Sequence, residues 1–102
     1  MYKKLLAVAA LSLSLMACSH PPTKEQVSDA IKKLVPVNFQ VLQVSEIKDV
    51  PSLYEVVIRV NGQPVVLYMD KNAKYVFSGS LMSLDKKVNL TVETQKKYMQ
   101  KQ

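Results

Sequence analysis

The sequence has 102 residues, with 14 Lys and Arg against 8 Asp and Glu, one His, one Cys and no Trp. That length holds a single domain. One Cys excludes an intrachain disulfide, a CxxC redox pair and a cysteine-rich zinc site. The only His, His20, lies near the N-terminus, which argues against a His-rich metal site or a Ser-His-Asp triad inside a fold.

Residues 1–18 read MYKKLLAVAALSLSLMAC. Lys3 and Lys4 precede an apolar run over residues 5–15. That run suits a secretory leader and falls short of the ~20 residues that cross a bilayer as a helix. It closes on Leu15-Met16-Ala17-Cys18, which resembles the lipobox of bacterial lipoproteins. The resemblance implies a signal peptide over residues 1–17 and acylation of the Cys18 thiol by chains such as palmitate. The alternative is an apolar helix with an incidental Cys. Loss of Lys3 and Lys4 would lower the net charge from +6 to +4. Acyl chains would hold the protein on a membrane facing the periplasm, and Ser19 after the Cys favours the outer over the inner membrane. Residues 18–22, with Pro21 and Pro22, read as an extended tether, and residues 23–102 as the domain.

Thr23-Lys24-Glu25-Gln26 has the form of a capping box. Val27, Ala30, Ile31 and Leu34 follow at the spacing of one helical stripe, and Pro36 limits the helix near Leu34. From Phe39 the period changes to two. Strands are expected over residues 39–47, 53–60, 63–69 and 74–78, with Tyr54, Val56, Ile58 and Val60 sharing one face. Asn61-Gly62 marks a tight hairpin, because both residues tolerate positive φ. Pro64 suggests a strand end or an edge, and Gly79 stops or bulges the strand before it. Residues 81–85 form a short mixed segment. Asn89-Leu90-Thr91 opens a last helix with Thr91 as N-cap, and its thin apolar face (Val92, Gln95, Tyr98, Met99) predicts partial docking or fraying. Helix, antiparallel strands and helix in that order describe an α+β layer, one helix on a curved meander. The same Asn-Leu-Thr triplet matches a glycosylation sequon, but it reads better as a helix cap.

Several of these pieces, taken in order, resemble the N-terminal domain of the DsbC/DsbG family of periplasmic disulfide isomerases. They are the helix before Pro36, Leu53-Tyr54-Glu55-Val56-Val57, Asn61-Gly62, Tyr68-Met69-Asp70, Lys74 through Leu81, and Asn89-Leu90-Thr91. The resemblance implies a cystatin-like fold and a domain that makes homodimers. The strand leading into the Gly would pair with its two-fold mate, which here points to Lys74, Tyr75, Val76, Phe77, Ser78 and Gly79. Ser52 stands where the family often has Gly, and Asn72-Ala73 replaces its Asp-Gly turn. The family's CxxC pair has no counterpart in this sequence, so no catalytic residue carries over.

Pairing also has a physical case. A domain of this size buries only roughly 60–65% of its unfolded surface. It lacks disulfides and metals, the usual supports of small secreted folds. A strand bearing Tyr75, Val76 and Phe77 at a sheet edge invites aggregation unless it is covered. The alternative is that Tyr75 and Phe77 point into the core while Lys71 and Lys74 blunt the edge.

Three functions compete. The first is a non-catalytic, lipid-anchored interaction module that pairs with itself or with a thiol–disulfide protein partner and assists isomerisation or chaperoning through it. The second is a small cystatin-like inhibitor of a periplasmic or foreign hydrolase, acting through Asn61-Gly62-Gln63-Pro64, a hairpin without an aromatic or Arg anchor. The third is an enzyme using Glu55 or Asp70, which the lack of a His or free Cys partner makes the weakest. No cofactor or metal is expected. Lys32/Lys33, Lys86/Lys87 and Lys96/Lys97 lack interleaved aromatics and read as solvated faces, with no nucleic-acid partner.

Overall fold

A computed structural model describes residues 21–99; the signal peptide expected over residues 1–17 and the expected lipidation site Cys18 lie outside that range. Helix α1 (Lys24–Lys32) opens with the expected capping box. The Thr23 hydroxyl accepts the Gln26 N–H at 3.1 Å, and the Gln26 side chain accepts the Thr23 N–H at 3.0 Å. The helix is shorter than its pattern suggested. Pro36 disfavours helical geometry at Val35, and the last turn closes with the N–H groups of Leu34 and Val35 both donating to the Ile31 carbonyl at 2.9 Å. Val27 and Ile31 are buried, but Leu34 is 69% exposed and does not belong to the core stripe.

Four antiparallel strands follow as a meander in the order β1 (Phe39–Glu46), β2 (Leu53–Val60), β3 (Gln63–Asp70) and β4 (Val76–Ser78). The β2–β3 hairpin turns at Asn61 (φ 51°) and Gly62 (φ 80°), as the dipeptide predicts. Pro64 lies opposite Arg59 in β3. β4 reaches only from Leu67 to Met69 of that strand, so the N–H that Pro64 lacks is not needed there.

The sheet is covered on both faces. On one side Val56, Ile58 and Met69 pack under Val27 and Ile31 of α1. On the other, Val57, Val66 and Tyr68 pack with Tyr98 of α2 (Leu90–Met99). Completely buried valines such as Val27, Val56 and Val57 each contribute about 1.5–3 kcal/mol. Alternation along β2 foretold the first face. Val57 on the second is buried because a helix lies over it.

Residues 81–89 hold a small hairpin, β5 (Met82–Ser83) with β6 (Val88–Asn89), rather than one mixed segment. It delivers the chain to α2, whose cap differs from expectation. The Asn89 side chain accepts the Val92 N–H at 3.1 Å, which makes Asn89 the N-cap. Thr91 is buried, hydrogen-bonded to the Tyr68 hydroxyl, and its own hydroxyl accepts the Leu81 N–H at 2.9 Å. The helix docks through Thr91 and Tyr98, while Val92 and Met99 stay exposed.

Candidate functional site

Among the described residues the sheet ends in two unpaired edges, β1 and β4, and they are unlike. β1 has eight residues and carries an irregularity between Val41 and Gln43, the kind of bulge that turns an edge away from further pairing. β4 is regular in register with β3 over its three residues.

The turn before β4 is fixed by one carboxylate. Asp70 Oδ1 accepts the N–H of Lys74 at 2.9 Å and of Tyr75 at 2.7 Å, and Oδ2 accepts that of Asn72 at 3.1 Å. Burial pushes this carboxyl's pKa up, but those backbone donors outweigh it and hold the pKa below its ordinary value. Ala73 takes φ 57° in the turn, where the family has Gly. Ser52, in the β1–β2 turn, takes φ 68°. The two departures noted in the sequence thus sit at left-handed positions.

The side chains of the strand are mostly outside the core. Tyr75 is 79% exposed and Phe77 53%. Phe77 stacks on Tyr68 with centroids 5.3 Å apart, and Lys74, Ser78 and Gly79 are also exposed. Only Val76 is half-buried, packed against the α1 side of the core. The alternative of inward-pointing Tyr75 and Phe77 does not describe this chain. Beside the strand lies a groove of about 320 Å³, lined by Ile31, Leu34, Met69, Ala73, Tyr75 and Val76 among others. The groove lies on the α1 face of the sheet, with Lys33 and Lys74 also at its walls, and the Phe77 ring lies on the α2 face against Tyr68.

The two acids considered for catalysis have other work. Asp70 holds the turn. Glu55 lies under α2, where the Thr94 hydroxyl donates to both its oxygens at 3.1 and 3.2 Å. Burial pushes its pKa up, against the lowering effects of Thr94, Lys97 and Tyr68. The Asn61–Gln63 turn is exposed, but Pro64 is buried and offers no anchor. Sequence reasoning missed Asp70 as a cap. Its signal is an Asp followed by a short polar turn, the pattern of side-chain-to-backbone bonding in turns.

The chain matches neither a curated protein nor a solved structure. The family model of the disulfide bond isomerase protein N-terminal domain matches residues 18–92, well over half of the chain. Helix, meander, Asn-Gly hairpin and short edge strand all fall inside the match. The chain therefore belongs to the family of disulfide bond isomerase N-terminal domains.

Proposed function

We propose that this protein is a lipid-anchored, periplasm-facing dimerisation module, non-catalytic in itself, that acts by docking. The observation that carries this reading is the β4 edge. Within the segment Lys74 to Gly79, β4 is uncovered among the described residues, with Tyr75 and Phe77 exposed to solvent, next to a groove with a mainly apolar lining. Membership of a family of dimerisation domains supports the same surface. Pairing edge to edge would remove an aggregation hazard and bury the aromatics. Acylation of Cys18 would keep the domain on the outer membrane behind the tether of residues 18–22, and the protein would assist disulfide isomerisation or chaperoning through a partner that carries the reactive thiols.

The test uses the full chain, extracted from membranes in mild detergent. Retention in the membrane fraction, its loss in Cys18→Ala, and recovery of a CxxC-bearing protein with the wild-type chain are the expected results. An unmodified Cys18 thiol by mass spectrometry would overturn the anchor. Recovery of a hydrolase that the protein inhibits would favour the inhibitor reading instead.

A further inference from the structure

Two further cavities, of about 340 and 470 Å³, share Ile47, Leu81 and Leu90 and so form one trough. The first lies where Glu46 of β1 and Glu55 of β2 meet α2. The second continues past the β1–β2 turn to the β5–β6 hairpin. The trough thus lies against β1, and β4 is the other end of the sheet.

Its charge is the reverse of the chain's. The sequence carries eight Asp and Glu under an excess of fourteen Lys and Arg. Five of the eight, Glu46, Asp49, Glu55, Asp85 and Glu93, line the trough. Among the described residues Lys97 is the one basic side chain on its walls, and its Nζ stands 5.8 Å from the Tyr98 ring centroid. Lys48, Lys86 and Lys87 adjoin these residues in sequence but line neither cavity.

Apolar side chains stand uncovered in the same place. Leu84 is 87% exposed, and Met82 and Val50 are exposed beside it on the walls of the second cavity. An apolar patch rimmed by polar groups marks a binding surface, and the sign of the rim selects what binds. Among the described residues no group of acids could hold a metal ion. The carboxylates are instead spread along the trough, spaced for a string of separate cations. Lys and Arg supply those while their stems cover apolar surface.

We propose that this trough docks a basic, apolar polypeptide segment of a partner protein. Its Lys or Arg side chains meet the five carboxylates, and its apolar side chains cover Leu84, Met82 and Val50. The site stands whether or not the chain pairs through β4.

The test titrates the full chain, in neutral detergent, into a short fluorescent peptide of alternating lysine and leucine, read by anisotropy. The glutamate–leucine counterpart controls for apolar binding alone. The lysine peptide should bind and the glutamate peptide should not. Asp85→Lys and Leu84→Ser, both at exposed positions, should each weaken binding about tenfold. Asp29→Lys, the same charge change at an exposed position of α1, should bind as wild type. Ser78→Pro, at the β4 edge, should do so too, so loss of pairing and loss of this site read out separately. Equal binding of the two peptides, or equal loss from Asp29→Lys and Asp85→Lys, would overturn the proposal, because apolar contact or net charge alone would explain the signal. Failure of the lysine peptide to bind would overturn it as well. A two-chain mass abolished by Leu84→Ser would overturn it by assigning the face to a second copy.

Discussion

Asp70 accepts the backbone N–H of Tyr75 at 2.7 Å, joining the last residue of β3 to the first aromatic of the exposed edge. That bond, with those from Lys74 and Asn72, decides where β4 begins and which of its peptide groups face outward. Asp70→Ala leaves three backbone donors without their acceptor. The expected loss is about 1–2 kcal/mol at pH 7 by urea unfolding. The folded pKa lies below the ordinary value. The carboxylate's contribution is therefore full above the ordinary carboxylate pKa and fades as pH falls through the folded one. The variant and the wild type should converge in strong acid. A constant difference across pH would contradict the assignment.

Ser52→Gly should stabilise the fold. A left-handed conformation costs a residue with a Cβ about 1–2 kcal/mol, and Gly gives back roughly 0.4–1 kcal/mol through the freer unfolded chain. Ser52 is exposed at φ 68°. A net gain of about 0.5–1 kcal/mol is expected in the denaturant midpoint; a loss would mean that the turn uses the Ser side chain.

The caps of α2 separate by size. Asn89→Ala removes one exposed acceptor and should cost about 1 kcal/mol. Thr91→Ala strips the buried Tyr68 hydroxyl and the Leu81 N–H of a shared partner, which should cost about 2–3 kcal/mol. A Thr91→Ala cost no larger than that of Asn89→Ala would contradict the buried pairing of Thr91 with Tyr68 and Leu81.

Glu55→Gln reports on the seam beneath that helix. Burial raises the Glu55 pKa, so the folded state binds its proton more tightly than the unfolded one. Stability from this group is therefore present at low pH and declines as pH rises from the ordinary value through the raised one. Gln cannot ionise and still accepts from Thr94. The variant should be more stable than wild type at pH 7, with the gap closing on acidification; a less stable variant at pH 7 would show that Lys97 and Thr94 outweigh burial.

These residues also show what the sequence could reveal. The Thr23–Gln26 box and Asn61-Gly62 act through neighbours in the chain, so both were legible, and the strand alternation followed from the two-residue period. Leu34 had the right spacing, but Pro36 ended the helix before the stripe reached it. Thr91 and Tyr98 anchor α2 through a hydroxyl pair and an aromatic ring, which hydropathy does not rank above Val92 and Met99. The edge strand itself was recognisable by resemblance. The outward turn of Val76 and Ser78 was not, because it depends on the phase that Asp70 and Tyr75 set across the sheet.

Self-association through β4 is most directly tested by sedimentation equilibrium of the full chain in density-matched detergent, wild type beside Ser78→Pro. The Asp70 N–H donates to the Tyr75 carbonyl at 3.3 Å, and Tyr68 lies opposite Phe77. Hydrogen-bonded pairs alternate along an antiparallel ladder, so the Ser78 N–H points away from β3. Proline there removes an intermolecular donor and leaves the β3–β4 ladder intact. The wild type should sediment with the mass of two chains and Ser78→Pro with that of one, both with cooperative thermal unfolding. A wild type with the mass of one chain, or a Ser78→Pro variant that still pairs, would contradict the account.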